Sequence, residues 1–527
     1  MLLQSYESLS AVLEMIDTKA LRQKILDMAI RGQLVPQDPN DEPASVLLEK
    51  IRAEKQRLIK EGKIKKDKAD SVIFKGDDNR HYENLPTGWV VCSIADLIFL
   101  RTGATFDKAS VLSFEDAKSI RVLRGGNIST YQISLKDDDI FIPSATVSDI
   151  IRVQQYDIVT PAVTSLDNIG KMARVDYMPT TDITIGGFVY LLTPLFHDNI
   201  FSKFLLYQLT SNWFIEQLKF IAKKSGSAFY NINKNVFSTL PIYLPPLPEQ
   251  RRIVKRIDEL FTQINIINNN QTDIQTLYDE LKKRTLDLAI QGKLVPQDQN
   301  DEPASVLLEK IRAEKKARLG KKYIDSYIYK GDDNCYYEKI GSEMKNITEE
   351  IPFDIPDTWV WTRLKNIVFS HGQKTPDNQF CYIDIGSIDN ECQKLSREET
   401  VLEANDAPSR ARKVVKFGDI LYATVRPYLH NMCIVNKYFS HEAIASTGFA
   451  VMSCEKEIYN HFLFYYLLSP TFDKYANSSD NSKGVAYPAI NDDKLYKALV
   501  PIPPYNEQIK IGKHIQLILS CADKDEF

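Results

Sequence analysis

Residue patterns that signal catalysis are incomplete in this sequence. Pro503-Pro504-Tyr505 resembles the loop that holds the target amine in amino-methyltransferases, but the preceding residue is Ile502, which cannot accept the required hydrogen bond. His441-Glu442 lacks the second histidine of a zinc-protease motif, and no glycine-rich phosphate loop follows a predicted strand. We therefore assign no catalytic residue. A nuclease built from scattered carboxylates is the alternative.

Cysteine content, hydropathy and charge narrow the function classes further. The seven cysteines form no CxxC pair and no Cys/His cluster at zinc-ligand spacing, so we expect reduced thiols and no metal site. The first residues contain no basic region followed by a long apolar stretch, so we expect no signal sequence, and no apolar run approaches the roughly 18 residues that span a bilayer. We expect a soluble, cytoplasmic protein without membrane contact. With a net charge of −4, any nucleic-acid binding depends on local basic patches.

The clearest such patch is an acid-free loop, Lys223 to Lys234, which has a related loop at Asn481 to Asn491. Lysines and hydroxyls suit phosphate contacts, while asparagine can reach base edges. Recurrence in both halves of the chain favours contact, and a solvated surface loop is the alternative. With two arginines added, the predicted DNA-binding residues are Lys223, Lys224, Ser225, Ser227, Tyr230, Asn231, Asn233, Arg124, Arg426, Lys483, Tyr487 and Asn491.

Other polar residues are weaker candidates, because for any one of them the sequence favours a surface ion pair over a contact with a base. They are Arg121, Asn127, Lys171 and Arg174 in the first half, and Arg410, Arg412, Lys413, Tyr428 and His430 in the second. The charged stretch from Lys60 to Lys68 is predicted to be a solvated linker or helix face.

An internal repeat divides the chain into two similar halves. Residues 21–55 and 281–315 are identical at 27 of 35 aligned positions. Further landmarks recur at slightly different offsets: 75–79 as 330–334, 85–90 as 355–360, Gly187-Phe188 as Gly448-Phe449, 204–207 as 462–465, and 246–250 as 504–508. These matches predict one fold with shared core positions in both halves.

Between the landmarks, residues 101–227 and 371–484 share only scattered positions. This contrast predicts one scaffold that carries two different recognition surfaces. Drift after a purely structural duplication is the alternative.

A long helix is predicted to join the halves. Apolar residues from Ile253 to Leu288 follow the alternating spacing of a coiled-coil seam, and Gly292 suits its end. About 40 residues make a rod of about 60 Å, unless Asn268–Asn270 break it into a hairpin. The segment 507–515 begins like this helix, and 21–35, preceded by Leu9, Leu13 and Ile16, matches its end. The two chain ends are therefore predicted to rebuild a second, antiparallel copy.

Three motifs carry a resemblance to a known family: Gly-x-Leu-Val-Pro-Gln at 32–37 and 292–297, Leu-Pro-x-Gly-Trp at 85–89, and Leu-Pro-Pro-Leu-Pro-Glu-Gln at 244–250. In this order and duplication, the chain resembles specificity subunits of type I restriction-modification systems over essentially its whole length. Residues 503–506, Pro-Pro-Tyr-Asn, depart from the third motif.

The resemblance implies two target-recognition domains, each of which reads one half of a bipartite site in double-stranded DNA, with helices that set the gap. It also implies two modification subunits that bind S-adenosylmethionine and methylate adenine, and restriction (translocase) subunits that use ATP. No cofactor is expected on this chain itself.

The predicted fold class is α+β: two similar target-recognition domains, each a mixed α/β globule, separated by long antiparallel coiled-coil helices with pseudo-twofold symmetry. The predicted function is non-catalytic, sequence-specific DNA recognition, and a two-domain protein-binding scaffold is the alternative. The predicted domains are an N-terminal helix (1–35), a charged linker/repeat segment (36–84), the first recognition domain (85–247), a central helix (248–295), a second linker/repeat segment (296–354), the second recognition domain (355–503) and a C-terminal helix (504–527).

Overall fold

The computed structural model of the protein describes residues 16–64, 85–112, 115–116, 118–177, 182–225, 228–483 and 488–520. The chain divides into two compact units, a first unit formed by residues 16–271 and a second unit formed by the described residues from Thr272 onward. Within the described residues, no helix is both long and apolar enough to cross a membrane.

The first unit mixes helices with short strands. Its helices are α1 (Thr18–Ile30), α2 (Ala44–Lys60), α3 (Ile94–Leu97), α4 (Asn199–Leu209), α5 (Asn212–Ile221), α6 (Lys234–Ser238) and α7 (Leu247–Ile290), which continues into the second unit. Its strands are β1 (Val90–Ser93), β2 (Ile98–Thr102), β3 (Ser119–Leu123), β4 (Ile128–Ser129), β5 (Gln132–Ile133), β6 (Ile140–Pro143), β7 (Ile158–Pro161), β8 (Val163–Thr164), β9 (Ala173–Arg174), β10 (Ile183–Ile185), β11 (Val189–Pro194), β12 (Lys223–Ser225), β13 (Phe229–Asn231) and β14 (Pro241–Leu244).

The second unit also mixes helices with short strands, and it has an additional sheet, β15 to β17, before the strand that corresponds to β1. Its strands are β15 (Ser326–Lys330), β16 (Tyr336–Ile340), β17 (Glu343–Asn346), β18 (Val360–Arg363), β19 (Val368–Phe369), β20 (Phe380–Ile383), β21 (Ile388–Asp389), β22 (Lys394–Leu395), β23 (Thr400–Leu402), β24 (Ala411–Val415), β25 (Ile420–Ala423), β26 (Met432–Ile434), β27 (Glu442–Ser446), β28 (Phe449–Cys454), β29 (Ser482–Lys483), β30 (Ala489–Ile490) and β31 (Leu499–Ile502). Its helices are α8 (Ala304–Leu319), α9 (Leu364–Ile367), α10 (Asn460–Leu467), α11 (Pro470–Ala476), α12 (Asp492–Tyr496) and α13 (Tyr505–Ser520).

The two units share one sheet topology, which confirms the prediction of a common fold. The four-stranded sheet β2-β11-β7-β9 corresponds to β19-β28-β25-β26. The parallel pair β3/β10 corresponds to β20/β27, and the antiparallel pair β1/β14 to β18/β31. The predicted shared core at Phe204–Tyr207 and Phe462–Tyr465 is also confirmed, because all eight residues are buried on α4 and α10.

One aligned pair was out of register by a residue. Phe188 is 72% exposed, whereas Phe449 is fully buried, so the two are not equivalent core positions. The strand register gives the reason. Val189 lies opposite Pro161 just as Phe449 lies opposite Ala423, so the true counterpart of Phe449 is Val189.

The predicted linker segments contain packed structure. Helix α2 lies within residues 36–84, and its Leu47, Leu48 and Ile51 are buried in the core of the first unit. In the second unit α8 plays the same part and is followed by the three-stranded sheet β15-β16-β17. The repeated residues 75–79 lie outside the described residues.

The near-identical repeat segments form a latch that joins three motifs in each unit. In the first unit, the indole N–H of Trp89 donates to Glu249 Oε2 at 2.9 Å, and Gln37 Nε2 donates to Glu249 Oε1 at 3.3 Å and to the Gly32 carbonyl at 2.6 Å. Gly32 has φ +65°, and a Cβ there would lie 2.4 Å from Pro86 Cγ. Only glycine fits this position.

The second unit repeats the latch almost distance for distance. Trp359 donates to Glu507 at 3.0 Å, while Gln297 donates to Glu507 at 3.3 Å and to the Gly292 carbonyl at 2.5 Å. Burial raises the pKa of both glutamates, although the bonds from Trp and Gln oppose the shift. The identity of these repeated residues therefore has a structural cause, since the same three latch contacts are made in each unit.

Helix α7 runs unbroken through Asn268–Asn270 for 44 residues, about 66 Å, so the hairpin alternative is wrong. In the first unit α1 packs against it, with Arg22 Nη2 2.5 Å from Asn265 Oδ1 and Thr18 Oγ1 3.2 Å from Asn268 Oδ1. Because the numbering rises on α1 as it falls on α7, the two helices are antiparallel.

The second unit contains a matching pair, formed by the C-terminal part of α7 and α13. Ala289 and Ile290 share a buried cluster with Ile511 and Ile515. The predicted seam does not hold here, because Leu281 is 52% exposed while Leu286 and Ala289 are buried. A straight helix with 3.6 residues per turn drifts away from a strict 3.5-residue seam.

Candidate nucleic-acid interface

The basic loop of the first unit is an antiparallel hairpin, β12 with β13, that pairs through β13 with β8. Residues directly opposite on antiparallel strands share a face. Lys223 lies opposite Asn231, and Ser225 lies opposite Phe229. All four side chains are exposed, so one face presents a cation, an amide, a hydroxyl and an aromatic ring. We call this surface the hairpin face.

The opposite side of the hairpin turns toward the protein. Tyr230 is half-buried against the core of the first unit, and Lys224, opposite it, stays exposed at the edge strand. Ser227 lies outside the described residues. The sequence prediction did not include Phe229 among the contact residues, although it stands in the same loop. Strand alternation was the signal that could have placed Phe229 beside Ser225.

Asn233 ends the hairpin as the N-cap of helix α6, where its Oδ1 accepts hydrogen bonds from the N–H groups of Asn235 and Val236 at 2.9 and 3.3 Å. Asn491 caps α12 in the same way, accepting from Lys494 N–H at 2.8 Å. The recurrence of Ile-Asn, which favoured DNA contact in the sequence, thus follows from helix capping and a buried isoleucine.

The second unit builds a corresponding hairpin from β29 and β30, and Ala489 forms a bridge with Val425. The side chain of Lys483 and all of Tyr487 lie outside the described residues. Arg426 is half-buried beside this hairpin, and its backbone N–H donates to the Pro488 carbonyl at 2.7 Å.

Most of the other predicted cations hold the fold together. Arg124 Nη2 donates to the Asp138 carbonyl at 2.9 Å, and Arg121 pairs with Asp139 at 2.9 Å. Burial alone would raise the pKa of Asp139, but hydrogen bonds from the Lys136 N–H, Asn127 and Arg121 hold it below its usual value. Similar pairs are Arg174–Asp176, Lys413–Asp492 and His430–Asp473. Each of these side chains therefore has an acidic partner within its own unit.

A buried carboxyl, that of Asp157, directly precedes strand β7 of the first unit. Burial raises the pKa of Asp157 to about 6, although Thr193 and the Gln154 N–H bond to it and Arg101 lies 4.0 Å away. Asp419 has the same position in the second unit, where Ser453 Oγ donates to it at 2.5 Å and His371 Nε2 lies 3.4 Å away.

Comparison with known proteins places this arrangement in a family. The family model described as "Type I restriction modification DNA specificity domain" matches residues 86–276 and again 356–522, once in each unit. The specificity subunit of the type I restriction enzyme EcoAI of Escherichia coli is 28% identical, with 97% of this chain and 91% of the relative covered. That of EcoEI, also from Escherichia coli, is 24% identical over the same shares.

A solved structure shows the same fold. It was described as the structural basis of complex assembly and conformational transition of the type I R-M system, and its similarity reaches a TM-score of 0.50 at 18% identity, covering 83% of this chain and 92% of that one. The twice-matched family model and the duplicated topology agree. The chain belongs to the type I restriction-modification DNA specificity family, whose members recognise DNA sequence and carry no catalytic activity themselves.

Proposed function

We propose that each unit carries one recognition domain that reads one half of a bipartite site in double-stranded DNA. The observation that carries this proposal is one topology with two different surfaces at equivalent places. The first unit presents Lys223, Phe229 and Asn231 on the hairpin face. The second unit has the loop from Arg426 to His430 beside its own hairpin. Two-stranded β-ribbons fit the major groove of DNA, and hairpin β12–β13 forms two adjacent strands of its three-stranded sheet, with β12 at the edge.

The helices are proposed to set the gap between the half-sites. Each unit contributes an antiparallel helix pair, α1 with α7 in the first and α7 with α13 in the second. Helix α7 is common to both pairs. Together with the sequence repeat, these pairs support a coiled-coil spacer with pseudo-twofold symmetry.

The partners proposed for this chain are two modification subunits, which bind S-adenosylmethionine and methylate adenine, and restriction subunits that use ATP. The relatives are named as specificity subunits of restriction enzymes, and the similar solved structure was described in terms of complex assembly. We further propose a cytoplasmic location, where such a complex meets host DNA.

Footprinting of the full chain, alone and with its modification subunits, tests the proposal. We expect protection of two short sequences separated by a gap of fixed length. Absence of any sequence-selective protection in both arms would overturn it and would favour a protein-binding scaffold instead.

A further inference from the structure

The loop from Arg426 to His430 joins strands β25 and β26 in the second unit. It contains a short 3-10 turn, Pro427–Leu429, and lies beside hairpin β29–β30 through the bridge between Val425 and Ala489. The first unit has its hairpin at the same end of the corresponding strands, where β8 pairs with β13. The loop therefore lies at the end of its domain that is proposed to contact DNA.

Two residues of this loop have a backbone conformation that is rare outside glycine. Arg426 has φ +50° and His430 has φ +51°. Such residues persist only where the surroundings hold them, and they concentrate at functional sites. Two contacts restrain this loop: His430 Nε2 lies 2.9 Å from Asp473 Oδ1 on α11, and Asn390 Nδ2 donates to the Leu429 carbonyl at 3.0 Å.

The corresponding turn of the first unit has no histidine–aspartate pair. Ala173 pairs with Val159 as Cys433 pairs with Leu421, so Gly170 and His430 both stand three residues before equivalent positions. Gly170 has φ +87°, and a Cβ there would lie 2.5 Å from Ile215 Cγ1.

Ile215 is the counterpart of Asp473. Ser211 caps α5 by accepting from Phe214 N–H, Ser469 caps α11 by accepting from Phe472 N–H, and the two residues each stand four positions after their cap. At equivalent positions a glycine therefore faces an isoleucine in the first unit, and a histidine faces an aspartate in the second. Both members of the contact differ between the units.

The restrained loop presents apolar side chains to solvent at its tip. Tyr428 is 48% exposed and Leu429 is 36% exposed. Apolar contacts of this kind recognise the C5-methyl group of thymine in the major groove.

We propose that Tyr428 is a specificity-determining residue for the second half-site, which it contacts through a thymine methyl group, and that His430 is a positioning residue that holds the loop through Asp473. The proposal rests on the proposed function. It adds the chemistry by which the second domain selects its bases.

The test uses the full chain with its modification subunits, and measures binding to oligonucleotides in which one half-site at a time is altered. For Tyr428→Ala we expect the ratio of the affinities for the native and the altered half-site to fall on the order of tenfold at one half-site, which is the usual effect of losing one base contact. The other half-site keeps its full preference. Replacing thymine by uracil in the affected half-site weakens wild-type binding and leaves the variant unchanged.

The matched control is Tyr438→Ala. Tyr438 is 82% exposed and stacks on Phe417, which precedes β25, so it lies at the opposite end of the strand from the loop. We expect no change at either half-site. Equal losses for both tyrosine variants, or no loss for Tyr428→Ala, would overturn the role of Tyr428.

His430→Gly separates positioning from stability, because glycine accepts the left-handed conformation and occurs naturally at position 170. We expect an unfolding temperature no lower than that of the wild type, together with the same half-site loss as Tyr428→Ala. For Asp473→Ala we expect the same loss of preference at the second half-site. Asp473→Asn keeps an oxygen acceptor for His430, and we expect it to retain the preference. Full preference in His430→Gly would remove His430 from the proposal.

Failure of the two proposals is distinguishable. If the wild-type complex shows no bipartite preference, the proposed function fails. If it does and the Tyr428 variant matches it at both half-sites, only the present inference fails.

Discussion

The hairpin face carries four kinds of side chain on two short strands, and each can make a different contact with DNA. Lys223 suits a phosphate, Asn231 suits the edge of adenine, and Phe229 suits a thymine methyl group. Strand pairing fixes their spacing. If the hairpin contacts DNA as proposed, we expect base specificity to depend on Asn231 and Phe229, and Lys223 and Lys224 to supply affinity that is independent of sequence.

Removal of the two lysines should make binding weaker and less sensitive to salt. For Lys223→Ala combined with Lys224→Ala, the slope of log K against log salt should become shallower by about 1.8, or about 0.9 for each lost phosphate contact. Titrations of the complex with its DNA at several salt concentrations measure this slope. The exposed pair Lys321→Ala with Lys322→Ala is the control. An unchanged slope in the first variant would remove the hairpin from the interface.

Asp157 predicts a pH dependence of stability. Its pKa is about 6 in the folded chain and 3.8 as the ordinary value, so the folded state binds the proton more tightly than the unfolded state does. Its contribution is therefore fully present below pH 4 and is lost as the pH rises to about 6, by about 2 to 3 kcal/mol. In urea denaturation from pH 4 to 7.5, this loss should appear in wild type and be absent from Asp157→Asn. Parallel pH profiles would contradict the assignment.

At the residue scale, the sequence identified the basic hairpin as a candidate DNA contact, but the recurrence of two of its asparagines has a different cause. Asn233 and Asn491 recur because each caps a helix. Arg124 and Arg121 are paired with nearby acids that are distant enough in sequence to escape notice. Ion pairs depend on tertiary contacts, which a single sequence does not display, and this explains why cations were easier to find than to interpret.

At the element scale, periodicity was a reliable guide to α7 because 44 residues give the pattern many repeats. The short strands of the recognition domains were harder to predict, since few exceed five residues and most are buried on both faces. The latch was visible only as identity between repeats. Its contacts with Glu249 and Glu507 join residues more than 140 positions apart, such as Trp359 and Glu507.

Lengthening α7 should move the half-sites apart without changing them. Duplication of Gln271–Leu277 adds seven residues, about 10 Å of helix with a rotation of about 20°, which corresponds to about three base pairs of 3.4 Å each. Sequencing of methylated adenines in cells that express the complex measures the gap. Asn269→Ala, two residues before the duplicated segment, should leave the gap unchanged. New half-site sequences at the original gap would contradict a spacer role for this helix.

At the scale of the whole molecule, duplication followed by divergence separates two requirements. The latch and the helix pairs, which together we call the frame, are repeated nearly unchanged because both units need the same support for their recognition domains. The loops that are proposed to contact DNA differ between the units, as Gly170 with Ile215 and His430 with Asp473 illustrate. A chain organised in this way can change one half-site while keeping the other and the gap.

Exchange of a whole recognition domain tests the proposed symmetry. Strand β1 pairs with β14 from Val90↔Leu244, and β18 pairs with β31 from Val360↔Ile502. In each unit, an equivalent pair of strands therefore connects the recognition domain to the rest of the unit. Replacing residues 360–502 by a second copy of residues 90–244 should therefore give a chain with two identical domains on the native frame. If the frame has pseudo-twofold symmetry, this chain recognises the first half-site as an inverted repeat at the wild-type gap, and the reciprocal exchange does the same for the second half-site. Methylation sequencing distinguishes the outcomes: a direct repeat would contradict the twofold relation, and retention of the original bipartite site would show that the exchanged residues do not read DNA.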